Sequence, residues 1–158
     1  MVSPAVTKAA AVAALRATRL ASGKTLSQLG SETTLGAVAV GQVLARQAPL
    51  PAGPATDRLR AALPGLTDAQ VAELHSIPDR TFDPAVVQEP ATYRLVEAVH
   101  HYADTFNTIL REDFGDGIMS AIDFHMDVQE GVGASGERRV VLTMNGKFLP
   151  YTPVAPKK

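Results

Sequence analysis

Over residues 5–75 the apolar positions come in short bursts, each cut off by glycine or proline. Breakers stand at Gly23, Gly30, Gly36, Pro49, Pro51, Gly53, Pro54 and Pro64-Gly65. That spacing predicts helices of about ten residues joined by tight turns. Val12, Leu15, Leu20 and Leu26 mark a first core-facing helix. Thr67-Asp68-Ala69-Gln70 has the form of a capping box, with Thr67 as N-cap and Gln70 at the third helical position. Val71, Leu74 and Ile77 give the helix after it a short apolar face.

Residues 77–90 carry Pro78, Pro84 and Pro90 with no clear period, which predicts an extended linker. Pro90 suits the first turn of a long helix, where its missing N–H costs nothing. Leu95, Val99, Tyr102, Phe106, Ile109 and Leu110 keep a helical period, and the helix should end near Asp113, before Gly115.

The period then drops to two. Ile122, Phe124, Met126 and Val128 alternate with Asp123, His125 and Asp127, as in a half-buried strand. Residues 131–136 read as a loop, and Val140, Leu142 and Met144 alternate again. Asn145-Gly146 is a hairpin signal, so Lys147-Phe148-Leu149 is expected to open a third short strand. The fold class is therefore α+β. A helical bundle occupies residues 1–77, a linker 78–89, and a module of one long helix and a few short strands 90–158. So small a module leaves strand edges and a helix face open, and it calls for a partner chain to cover them.

Composition narrows the function classes. Hydrophobic residues make up 46% and charged residues 20%, enough for a core and against disorder. A formal net charge of -1 gives no broad attraction to nucleic acid or anionic membrane, so neither is expected as a partner. With no cysteine there is neither a disulfide framework nor a thiolate nucleophile, which fits a cytoplasmic protein. No apolar run reaches membrane-spanning length. Residues 1–31 contain no acid and are rich in Ala, Ser, Thr, Lys and Arg. That is also the composition of an organellar transit peptide; an Ala-rich first helix accounts for it more simply.

Few residues suggest chemistry by spacing. Arg94 and Glu97 share one helix face. An arginine fork suits small planar or linear anions, and the glutamate can hold the fork or handle a proton. As spacing alone, the pair equally describes an ordinary surface ion pair. Ser120 follows the Gly115-Asp116-Gly117 break, where its hydroxyl can donate to an anion or merely cap a turn; no His and Asp are placed to make it a triad nucleophile. Glu97 and His100 have a Glu-x-x-His spacing without the second copy a dimetal site requires, and Asp113, Asp116, Asp123 and Asp127 lack calcium-loop spacing. Spacing therefore points to no metal site.

Three motifs in order resemble the cyanase (cyanate hydratase) family: Tyr93-Arg94-Leu95-Val96-Glu97, Phe114-Gly115-Asp116-Gly117-Ile118-Met119-Ser120-Ala121, and Thr143-Met144-Asn145-Gly146-Lys147-Phe148-Leu149-Pro150-Tyr151. The likeness is close over the last seventy or so residues and loose over the first eighty. The resemblance implies an enzyme that decomposes cyanate with bicarbonate as co-substrate and no metal or organic cofactor, to carbon dioxide and, through carbamate, ammonia. It implies Arg94, Glu97 and Ser120 as the catalytic residues. It also implies a homo-oligomer, a decamer of five dimers with active sites shared between chains. The linker at Pro78-Asp79-Arg80-Thr81 differs from the family's usual one, and two positions of the long helix depart from the family pattern: Ala103 where glycine is usual, and Asn107 where a lysine is usual. The latter two leave open a related protein that binds small anions without turnover. Leu26-Ser27-Gln28-Leu29-Gly30 and Thr33-Thr34-Leu35-Gly36 have a helix-turn-helix layout, which opens a DNA-binding alternative. Between Gly36 and Leu50 only Arg46 is basic, and a DNA reader needs several cations on its second helix. The bundle is therefore read as structural.

Overall fold

A computed structural model describes residues 7–154. It divides into two compact units, Met1–Thr81 and Phe82–Lys158. The first six residues of the acid-poor N-terminal stretch lie outside the described residues.

Among the described residues the first unit has five helices: α1 Lys8–Ala21, α2 Leu26–Thr33, α3 Ala37–Leu44, α4 Pro54–Ala62 and α5 Asp68–His75. The capping box at Thr67 and Gln70 forms, and a second one at Thr25 and Gln28 opens α2. Gly36 and Gly53, both at positive φ, stand at the N-caps of α3 and α4. Leu15, Leu29, Val40, Leu59, Leu63 and Leu74 close a continuous core.

Three expectations need correction here. Gly30 is not a breaker but a buried residue inside α2. A Cβ there would collide with Ala37 N and lie 2.6 Å from the Gly36 carbonyl carbon, so its absence lets the start of α3 press against α2. The first helix ends at Ala21, so Leu20 faces solvent and Leu26 belongs to α2. Ile77 lies beyond the end of α5 and is 83% exposed; Val71 and Leu74 alone form that helix's apolar face.

Arg46 is the unusual member of this unit. It is 2% exposed and sits at φ 54° just past α3. Its guanidinium donates to Glu73 Oε1 at 3.1 Å, to Ser76 Oγ at 2.7 Å, and to the Leu74 and Ser76 carbonyls at 3.4 and 3.3 Å. It satisfies carbonyls that α5 leaves open at its C-terminus. The single cation between Gly36 and Leu50 is thus turned inward, away from any nucleic acid.

In the second unit the stretch read as an extended linker contains a 3-10 helix, Pro84–Gln88. Next comes α6, Pro90–Asp113, 24 residues and about 36 Å long. Pro90 takes its first turn, and Glu89 caps it by accepting from Ala91 N at 2.9 Å and Thr92 N at 3.3 Å. It stops where Gly115 turns the chain at φ 96°.

Two strands complete the unit, β1 Gly117–Val132 and β2 Arg138–Pro150, paired antiparallel. The turn between them spans 133–137. Gly136 N–H donates to Gly133 O at 2.9 Å, Gly133 N–H to Glu137 O at 2.8 Å, and Gly136 has φ 80°. That hydrogen-bond pattern closes a three-residue loop whose last residue is a glycine at positive φ. The Asn145-Gly146 turn and the third strand are not formed: Asn145 pairs with His125 and Gly146 with Phe124, well inside β2. Among the described residues no helix is long and apolar enough to cross a membrane.

Candidate active site

Arg94 and Glu97 lie one turn apart near the start of α6, and Arg94 Nη1 donates to Glu97 Oε2 at 2.6 Å. Their side chains are 72% and 39% exposed. The guanidinium also stands 5.6 Å from the centre of the Tyr93 ring, within cation–π range. A guanidinium has five N–H donors in a fixed plane. Glu97 occupies one and Tyr93 limits the swing of the group, so an oriented fork remains open to a small anion.

Ser120 is built differently. Pairing runs from Gly117–Pro150 to Met119–Phe148, then resumes at Phe124–Gly146. Four residues of β1, 120–123, therefore face Lys147 alone, a bulge with three extra residues. Ser120 heads the bulge and is 4% exposed. Its Oγ accepts from Ile122 N at 3.1 Å and Asp123 N at 3.0 Å. With both lone pairs engaged, the hydroxyl proton is the group left to offer, which makes Ser120 a donor suited to an anion.

Two glycines frame the bulge. At Gly117 a Cβ would meet Leu149 O and the Phe148 ring, each at 2.5 Å; that ring packs 5.8 Å from Phe114. At Gly146 a Cβ would run into the Ser120 carbonyl and lie 2.6 Å from Met119 Cγ. The Asp116 carbonyl, by accepting Tyr151 N–H at 3.0 Å, ties off the open end of the hairpin.

Of the three candidate residues, one chain brings Arg94 and Glu97 together. Ser120 is held by its own bulge and, among the described residues, hydrogen-bonds to neither. Sequence reading missed the bulge itself, because Ile122 falls in phase with Phe124, Met126 and Val128. In the structure Ile122 is 98% exposed on the bulge while Phe124 is half-buried in the ladder. Ala103 and Asn107 lie one turn apart on α6, both half-buried. Among the described residues no group of three His, Asp or Glu could hold a metal ion, so Glu97 and His100 lack a third ligand.

The chain is similar to known proteins. A family model for the cyanate lyase C-terminal domain matches residues 84–153. A cyanate hydratase of Arabidopsis thaliana is 49% identical over 138 residues, 87% of this chain and 82% of the relative. A cyanate hydratase of Phaeodactylum tricornutum is 48% identical over 95 residues, 60% of this chain; the match spans 49% of that relative's length. Among solved structures, the crystal structure of cyanase from T. urticae superposes with a TM-score of 0.77 at 31% identity, covering 90% of this chain and 99% of that one.

Proposed function

We propose that this chain, which belongs to the cyanate lyase family, decomposes cyanate with bicarbonate as co-substrate through Arg94, Glu97 and Ser120. That it is an enzyme acting on cyanate follows from the family. The observation that carries the fuller reading is the 49% identity to a cyanate hydratase across 87% of the chain, in a sequence that keeps all three motifs.

The chemistry explains why these side chains suit the task. Two anions must meet, and at about 4 Å their repulsion is on the order of 4 kcal/mol near a protein surface. The Arg94 fork offsets that charge and orients one or both anions. A bicarbonate oxygen attacks the cyanate carbon, forming a C–O bond, and the negative charge grows on cyanate nitrogen and oxygen. The nitrogen takes up the bicarbonate proton and one more to give a mixed anhydride of carbamate and carbonate. Cleavage of the former bicarbonate C–O bond releases carbon dioxide and leaves carbamate, which takes up a further proton and falls to ammonia and carbon dioxide. Ser120 donates its hydroxyl proton in a hydrogen bond to the developing charge. Glu97 fixes the fork and is the nearest group to relay a proton.

An Arg94–Glu97 pair is formally neutral, so one copy gives little net attraction to two anions. Association of chains would shield the fork from water, so that its open N–H donors act more strongly on an anion, and would bring Ser120 to it. A homo-oligomer, a decamer of five dimers with shared sites, belongs to this reading. It is supported by the burial pattern: among the described residues every buried hydrophobic side chain lies in the first unit.

Ammonia release from cyanate, measured with and without added bicarbonate in carbonate-depleted buffer, tests the reaction. Bicarbonate-dependent ammonia is expected. An assembled protein that releases none would reduce the function to anion binding.

A further inference from the structure

We propose that Gly146 is a positioning residue of the active site, holding Ser120 in place through the backbone; the inference rests on the assignment of Ser120 above. Gly146 lies in the middle of β2, opposite Phe124, where the ladder resumes after the bulge. Strand interiors disfavour glycine, and a glycine kept there often marks a close approach of another backbone. Such an approach exists: the space its Cβ would fill is taken by the Ser120 carbonyl, Met119 Cγ and, at 3.2 Å, Phe124 Cδ2. The Ser120 carbonyl is backbone and cannot swing aside as a flexible side chain can. Any side chain at 146 must therefore push the start of the bulge away from β2.

That displacement has one defined consequence. Ser120 Oγ stays oriented because Ile122 N and Asp123 N both donate to it. Moving the Ser120 backbone relative to those amides breaks the arrangement that leaves the hydroxyl proton free for the substrate. The Arg94–Glu97 pair, on a different element, is untouched. Gly117 also faces a backbone carbonyl, but that of Leu149 at the open end of the hairpin; Gly131 would meet the Val141 and Arg139 side chains first, and Gly136 has open space and only its positive φ to satisfy.

A kinetic cycle over wild type, Gly146→Ala, Ser120→Ala and the double variant, each checked for oligomer size, tests this. Gly146→Ala should lower kcat by about 10²-fold, the scale of an ångström-sized misplacement. The same change should have little further effect once Ser120→Ala has removed the hydroxyl. Amide exchange gives a second readout: protection at Ile122 and Asp123 should fall in Gly146→Ala while the rungs at Val128 and Leu142 stay protected. Additive losses in the cycle would overturn the proposal. So would unchanged protection at the two amides, or a Gly146→Ala variant that fails to assemble, which would make Gly146 a residue of hairpin integrity. Full turnover in Ser120→Ala alone would instead sink the assignment of Ser120, a result distinguishable from the others.

Discussion

Arg94 acts through geometry as well as charge. Its fork is planar and braced by Glu97 at 2.6 Å, whereas a lysine at the same place would present a flexible point charge. Arg94→Lys preserves charge and loses orientation. Turnover with both substrates saturating should fall about 10²-fold at unchanged oligomer size, read as ammonia release. Retention of wild-type turnover would mean that charge alone suffices. A second residue-scale effect lies at the hairpin tip. Glu137's own backbone N–H, the Arg139 guanidinium and the Ser135 N–H hold its carboxyl below the usual carboxylate range. The folded state therefore favours the ionised form. Its contribution to stability is present above the carboxyl's unfolded value and is lost as pH falls through the lower folded value. An NMR titration should find the Glu137 carboxyl turning over below an exposed glutamate, and Arg139→Ala should move it back up.

At the scale of elements, the same glycine means different things in different surroundings. Gly30 has no room for a Cβ where α3 begins, so Gly30→Ala should destabilise the helical unit by about 1–3 kcal/mol, seen as an earlier denaturation midpoint by circular dichroism. A Gly23→Ala change meets open space and acts only through positive φ. This explains which elements the sequence disclosed. The bounds of α6 were readable because Pro90 and Gly115 act locally, through a missing N–H and a left-handed turn. The α1–α5 layout was readable for the same reason. Gly30 resembles a breaker and Asn145-Gly146 a turn in the sequence alone because close approach of two backbones depends on what lies across the gap. The bulge at 120–123 was hidden likewise, since three extra residues appear only when both strands are in register. Arg94 and Glu97 could be picked as a pair from helical spacing. Ser120 owed its selection to motif likeness, and its buried, doubly hydrogen-bonded setting was visible only in the fold.

On the scale of the whole molecule the two units are unequal. The first has a leucine-rich core of its own. The second, among the described residues, buries no apolar side chain, and along α6 it exposes Leu95, Val99, Tyr102, Phe106 and Ile109. Their spacing of four, three, four and three residues makes a single stripe down the helix, the kind of face another helix covers. A hairpin of two strands and one helix with that much exposed apolar surface is not expected to persist alone in water. The proposed oligomer therefore makes the second unit's stability and the active site parts of one equilibrium. Val99→Glu places a charge in the middle of the stripe. If copies of this chain bury it, the substitution should weaken their association by about 3 kcal/mol, or about 10²-fold in the dissociation constant. Sedimentation should then show smaller species at concentrations where the wild type is fully assembled. Turnover should fall with assembly and recover as protein concentration rises, because Val99, two residues past Glu97, lies about 200° round the helix from it and need not touch substrate. An undiminished oligomer would move the interface off this stripe. Full turnover from dissociated chains would show that one copy suffices for the site.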